Sequence, residues 1–158
     1  MTANSANGST NHSTSGYAKI SYADVEVGTE LPAQTFSVTR ATLVQYAGAS
    51  GDFNPIHWNE KFAVEVGLPD VIAHGMFTMA EAIRVVTDWV GDPGAVVEYG
   101  VRFTKPVVVP NDGEGATLEV SGKVGAKLDD NTVRVDLLAR CAGQKVLGMS
   151  RAVVRLGE

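Results

Sequence analysis

An aspartate and a histidine five residues apart, Asp52 and His57, lie in the segment Gly51-Asp52-Phe53-Asn54-Pro55-Ile56-His57 with a proline between them. On a regular helix, residues at that spacing point about 140° apart and face different surroundings. Pro55 removes an amide donor and biases Asn54 away from the α region, which predicts an irregular loop able to turn both side chains inward. A carboxylate beside an imidazole suits proton transfer. Imidazole titrates near about pH 6.5, and the carboxylate fixes its tautomer or holds a water next to it. Downstream, Ala73-His74-Gly75-Met76 opens a long apolar helical stretch, and a helix start presents unpaired amides that bind developing negative charge.

Each residue also has a plainer reading. An Asp or Asn in a Gly/Pro turn is usually a turn former, and a histidine among apolar neighbours is commonly structural. The combination with the His-Gly pair is what favours chemistry. Asp52, His57 and His74 are ligand types that suit zinc, yet no compact His-x-x-x-His or Cys-x-x-Cys pair accompanies them, so no metal is expected.

At 158 residues and 44% hydrophobic, the chain suits one globular domain with a substantial core. No run approaches a membrane span, and the N-terminus has neither the basic start nor the apolar stretch of a secretory signal, so a soluble, cytoplasmic protein is expected. The single cysteine, Cys141, permits no internal disulfide and reads as buried strand filler. A net charge of −5 without an arginine or lysine cluster argues against nucleic acid as a partner. From residue 144 onward the chain is locally basic, with Lys145, Arg151 and Arg155 against Glu158 alone. Scattered surface charge accounts for this, or a face that meets an acidic carrier protein or a phosphorylated cofactor.

The elements that must position the loop follow from periodicity. Residues 1–16 are Ser, Thr, Asn, Gly and Ala with one His and no apolar pattern beyond Met1, so a disordered tail spans 1–19 and the domain occupies 20–158. Thr35 to Val38 alternates as a strand does, and Thr39 caps a helix from about Arg40 to Ala49 that Ser50-Gly51 ends. A short helix from Glu60 to Val66 has Asn59 as its cap and Gly67 as its stop. From His74 to Val90 the helix is apolar over most of its circumference and must be wrapped. Its expected core face is Met76, Met79, Ala80, Ile83, Val86 and Val90, with Glu81, Arg84 and Asp88 as a polar stripe. After Gly91-Asp92-Pro93-Gly94 the period changes to 2. Val97, Tyr99, Val101 and Phe103 mark a half-buried strand. Strands around Leu118–Val124, Val133–Ala139 and Val146–Val154 follow, divided by turn residues. These elements predict an α+β domain, an antiparallel sheet curled around one helix.

Together with this architecture, Tyr46 followed by Ser50-Gly51-Asp52-Phe53-Asn54-Pro55-Ile56-His57, and then Ala73-His74-Gly75-Met76, resembles the hotdog fold in its MaoC-like branch of (R)-specific hydratases and dehydratases. Trp89 to Ala95, Glu98-Tyr99, Val101-Arg102-Phe103 and Val109 to Gly113 resemble the catalytic β subunits of mycobacterial (3R)-hydroxyacyl-ACP dehydratases within that branch. Two positions depart from the wider pattern: Asn59 stands where hydratases carry an acid, and Ile83 where homodimeric ones carry a serine. The resemblance implies reversible dehydration of a (3R)-3-hydroxyacyl thioester, on ACP or CoA, to the trans-2-enoyl thioester in fatty-acid elongation, with mycolic-acid elongation as one such setting. It implies proton transfer at C2 by His57, handling of the water by Asp52, an orienting Asn54, a supporting His74 and the Gly75 backbone amide as oxyanion donor. It implies no cofactor, and a homo- or heterodimer with another hotdog subunit. A hotdog thioesterase and a non-catalytic subunit are the alternatives, and neither calls for the Asp-x-Asn-Pro-x-His loop.

Overall fold

The computed structural model describes residues 20–158; the expected tail lies outside them. The chain runs through β1 (Glu30–Val38), α1 (Arg40–Ser50), α2 (Glu60–Glu65), α3 (Gly75–Val90), β2 (Val96–Phe103), β3 (Ala116–Lys127), β4 (Thr132–Cys141), β5 (Gln144–Lys145) and β6 (Leu147–Arg155). The strands form one antiparallel sheet in the order β1-β3-β4-β6-β2, with the short β5 paired to β4. α3 packs against all five long strands, so the expected sheet around one helix is the observed one. Among the described residues no helix is long and apolar enough to cross a membrane.

Alternation fixes the buried face of the central strands. Leu118, Val120 and Val124 of β3 and Val133, Val135, Leu137 and Ala139 of β4 are buried, as is Cys141. Their cross-strand neighbours are held in register by turns at Asp130-Asn131 and Ala142-Gly143, whose φ values are all positive, the geometry that joins strands without splaying them.

The face of α3 that meets the sheet differs from expectation. Thr78, Ala82, Val85, Val86 and Val90 are buried, whereas Met76 is 59% exposed and Ala80 is also exposed. Thr78 and Ala82 are small, and small side chains let a helix lie close on a sheet. Ranking positions by hydropathy alone favours the bulkier Met and Ile on the neighbouring face. The polar stripe is as expected at Arg84 and Asp88, with Arg84 paired to Glu81 at 2.8 Å.

β2 is also less buried than its alternation implies. Tyr99 and Val101 are half-buried, but Val97 is 55% and Phe103 51% exposed. The reason is topological: β2 is an edge strand, bonded to β6 on one side only.

Between β2 and β3 the chain pairs with residues 71–73, and Val107 and Val109 are buried there. At the end of this passage Gly115 has φ +81°, and a Cβ added there collides with the Val38 carbonyl oxygen. Backbone cannot yield as a side chain does. Gly115→Ala is therefore expected to cost about 3 kcal/mol of stability by denaturant titration; a loss under about 1 kcal/mol would show that the passage relaxes freely.

Candidate active site

The Asp/His loop is built by a ladder of local hydrogen bonds. Gly51 ends α1 in the left-handed region at φ 75°, a conformation glycine adopts without steric cost. Ser50 Oγ donates to the Tyr46 carbonyl at 2.7 Å and accepts from the Asp52 amide at 3.2 Å. Asp52 Oδ1 then accepts from the Asn54 amide at 3.1 Å, and Asn54 Oδ1 from the Ile56 amide at 3.2 Å. Pro55 opens a 3₁₀ turn, Pro55–His57, that carries the imidazole inward. Asn54 caps that turn through its side-chain oxygen. Asn59, at the position where the wider hydratase pattern carries an acid, caps α2 by accepting from the Phe62 amide at 3.1 Å.

His57 is buried, and its Nδ1 lies 2.7 Å from the Ile72 carbonyl oxygen. A carbonyl only accepts, so Nδ1 carries the proton and Nε2 keeps a free lone pair. Ile72 is itself pinned. Its amide donates to the Ile56 carbonyl at 3.2 Å, and its neighbours are tied by Ala73 N to Val107 O at 2.8 Å and Val109 N to Val71 O at 3.0 Å. Arg40 clamps the same strip from α1, donating through Nε to the Val109 carbonyl and pairing with Asp70, whose Oδ1 accepts from the Val71 amide.

His74, the N-cap residue of α3, lies against the catalytic candidates from the other side. Its ring stacks on His57 with centroids 3.7 Å apart and planes 23° off parallel. Its Nε2 is 3.0 Å from the Asp52 carbonyl oxygen, so that nitrogen donates. Tyr46 covers the outer side of the His74 ring at 4.8 Å and meets Phe77 edge-on. No side chain caps α3, which leaves its first amides, Gly75 included, available to an oxyanion. A side chain at Gly75 would press on the Phe103 ring at 3.1–3.3 Å.

Two clefts meet here. One, about 410 Å³, is lined by His57, Ile72, Thr78, Val107, Leu147 and Lys105 among others; the second, about 430 Å³, holds Tyr46, Ser50, Asp52, His74 and Met76; Gly75 and Phe103 line both. Both volumes are in the range of small-molecule sites. Ile83 lines neither cleft; Thr78, one turn into α3, lines the first, with its hydroxyl donating to the His74 carbonyl at 3.3 Å.

Asp52, His57 and His74 each place a possible metal-ligating atom within 4.8 Å of the others. The arrangement does not fit zinc. Tetrahedral zinc holds its donors roughly 3.3 Å apart with their lone pairs converging, whereas stacked imidazoles send their in-plane lone pairs side by side. The geometry suits proton transfer instead.

The sequence motifs located four of these participants, Asp52, His57, His74 and Gly75, and the fold brings all four together. They did not reveal the Ile72 carbonyl, the Arg40–Asp70 clamp or Phe103. The first is a backbone atom under an apolar side chain, and the others come from distant segments.

A MaoC-like domain model matches residues 23–140. The chain belongs to this MaoC-like family. The 3-hydroxybutyryl-CoA dehydratase of Methylorubrum extorquens is 31% identical over 85% of this chain and 83% of that protein. The 3-hydroxyacyl-thioester dehydratase X of Mycobacterium tuberculosis is 44% identical over 50% of this chain, a stretch that makes up only 27% of that relative. Among solved structures, the R-hydratase PhaJ1 from Pseudomonas aeruginosa superposes with a TM-score of 0.76 at 31% identity, covering 89% of this chain and 87% of that one. The MaoC-like fold is the hotdog fold expected from the motifs.

Burial pushes the His57 imidazole below its ordinary value of 6.5. The Ile72 bond opposes that shift, the adjacent His74 adds to it, and Asp52 opposes it, with a net lowering. His57 is therefore neutral at pH 7. An unfolded histidine takes up its proton near 6.5, so the protein loses stability as the pH falls below that value and through the lower folded pKa. Nitrogen-resolved NMR of the histidines is expected to show His57 as the Nδ1–H tautomer with a midpoint below 6.5. A midpoint at or above 6.5 would contradict the burial argument.

Proposed function

We propose that the chain catalyses reversible dehydration of (3R)-3-hydroxyacyl thioesters, carried on ACP or CoA, to trans-2-enoyl thioesters, as fatty-acid elongation requires. The observation that carries this reading is the free Nε2 of His57, fixed by the Ile72 carbonyl, beside Asp52 and the uncapped start of α3. In the dehydration direction His57 Nε2 takes the C2 proton. The C2–H electron pair forms the C2=C3 bond, and the C3–O bond breaks. The departing oxygen leaves as water with a proton delivered from Asp52. Charge that builds on the thioester oxygen is met by the Gly75 amide. The proton gained by His57 and the one lost by Asp52 cancel, and solvent resets the pair. Hydration is the same path reversed.

A thioesterase needs no such pair, and a purely structural subunit has no use for a buried base with its tautomer fixed. General acid–base groups contribute about 10² to 10⁴ in rate. Asp52→Asn and His57→Ala are therefore each expected to lower kcat for enoyl-thioester hydration by about a hundredfold or more, with the thermal transition of the fold retained. The assay follows enoyl absorbance and free thiol in parallel. Near-normal hydration by both folded variants defeats the mechanism, and loss of the enoyl-thioester absorbance matched by release of free thiol favours hydrolysis.

The same reading includes a second hotdog subunit. The free edge of β2 carries exposed Val97 and Phe103, and Phe103 also borders both clefts beside the exposed Met76. Pairing along β2 satisfies the open backbone groups and covers this apolar rim. Light scattering of the pure chain, and of the chain co-expressed with a partner hotdog subunit, is expected to show a dimer as the active species. A fully active monomer defeats the pairing, and a fully active homodimer removes the need for a different partner.

A further inference from the structure

The two clefts differ in charge. The chain as a whole is acidic, at −5, yet the lining of the His57 cleft contains Lys105 and no carboxylate. The second cleft contains Asp52 and neither lysine nor arginine. An anionic substrate handle is drawn to the first and repelled from the second.

Lys105 is also firmly rooted. On one side Thr104 donates its amide to the Val146 carbonyl at 3.0 Å and its hydroxyl to the Lys145 carbonyl at 3.0 Å. On the other, beyond Pro106, the Val107 carbonyl accepts from Ala73. The ammonium itself is exposed and forms no ion pair with any described residue. The basic C-terminal stretch offers no comparable anchor at the cleft. Arg151 pairs with Asp136 at 3.4 Å, and Lys145 lines a groove with Glu30 and Asp136 away from His57.

The reaction geometry gives the same direction. With the thioester carbonyl at Gly75, C2 toward His57 and C3 beside Asp52, the acyl tail continues into the Asp52 cleft toward Met76 and the β2 edge. The sulfur and everything attached to it then lie on the His57 side. We propose that the substrate threads the neck at Gly75 and Phe103 in one direction, and that Lys105 is the anchor for the phosphate of a phosphopantetheine arm entering through the His57 cleft. This assignment rests on the dehydratase reading above. The phosphate is a diester on a carrier protein and a pyrophosphate in coenzyme A; Lys105 binds either as a point charge.

The test uses one enoyl group on three handles: coenzyme A, a phosphopantetheinylated carrier protein, and N-acetylcysteamine, which has no phosphate. In Lys105→Met, kcat/KM for the phosphate-bearing handles is expected to fall about tenfold relative to N-acetylcysteamine, through KM, and in Lys105→Glu further. Calorimetry with free coenzyme A should show the same loss of affinity, and the wild-type KM should rise with salt more steeply than that of Lys105→Met. A fall confined to one phosphate-bearing handle identifies the source and supports the anchor. Equal changes on all three handles, or none on the phosphate-bearing ones, overturn it. Turnover of the N-acetylcysteamine thioester by the wild type sustains the dehydratase reading whatever Lys105 does; no turnover of any handle overturns both.

Discussion

The hydrogen bond from His57 Nδ1 to the Ile72 carbonyl decides which nitrogen of the buried imidazole is left free to take a proton. An imidazole free to choose its tautomer presents N–H to the substrate part of the time, and burial makes a charged, doubly protonated ring costly. One short bond to an obligate acceptor removes the choice and leaves Nε2 bare. That acceptor must hold still, and three separate connections see to it. The loop reaches Ile72 through Ile56, the passage between β2 and β3 through Val107 and Val109, and α1 through Arg40 and Asp70. The Arg40–Asp70 pair is only partly exposed, at 24% and 21% for the two side chains, so water screens it less than a surface pair.

His74 constrains the same site from the opposite face. Its single bond to the Asp52 carbonyl holds the start of the loop, and its stacked ring covers one face of His57. Its Nδ1 is buried without a hydrogen-bond partner. An unpaired buried acceptor destabilises the fold, and this ring holds the loop and the stack rather than capping the helix. A Ser or Asp there would cap the helix better and would occupy the amides that α3 now leaves open.

Much of this was legible in the sequence because it is local. Thr39, Gly51, Asn54, Pro55 and Asn59 act within a few residues of themselves, and their chemistry states the caps and turns directly. The alternation of β3 and β4 is similarly plain, because a strand bonded on both sides buries one face completely. Legibility failed where a residue's surroundings come from elsewhere in the chain. Met76 and Phe103 read as core by hydropathy, yet they stand at the rim of the fold because α3 begins, and β2 runs, at its edge. Ile72 matters through its carbonyl, which no side chain announces, and Arg40 matters through a segment thirty residues on.

The two edges of the sheet are not equivalent, and the difference links the fold to the site. β1 carries Pro32, which has no amide to offer, and its register slips between Leu31 and Gln34. Both features discourage another strand from pairing there. β2 contains no proline, although its pairing with β6 slips twice, once opposite Met149 in a left-handed conformation. Such bulges add twist and re-aim side chains at the strand's end, where Phe103 reaches over Gly75. The edge less protected against pairing is therefore the edge that borders both clefts. Under the proposed dehydratase reading, a subunit paired along β2 would close the apolar rim around Met76 and Phe103 from outside, so that completing the sheet and excluding water from the clefts would become one event.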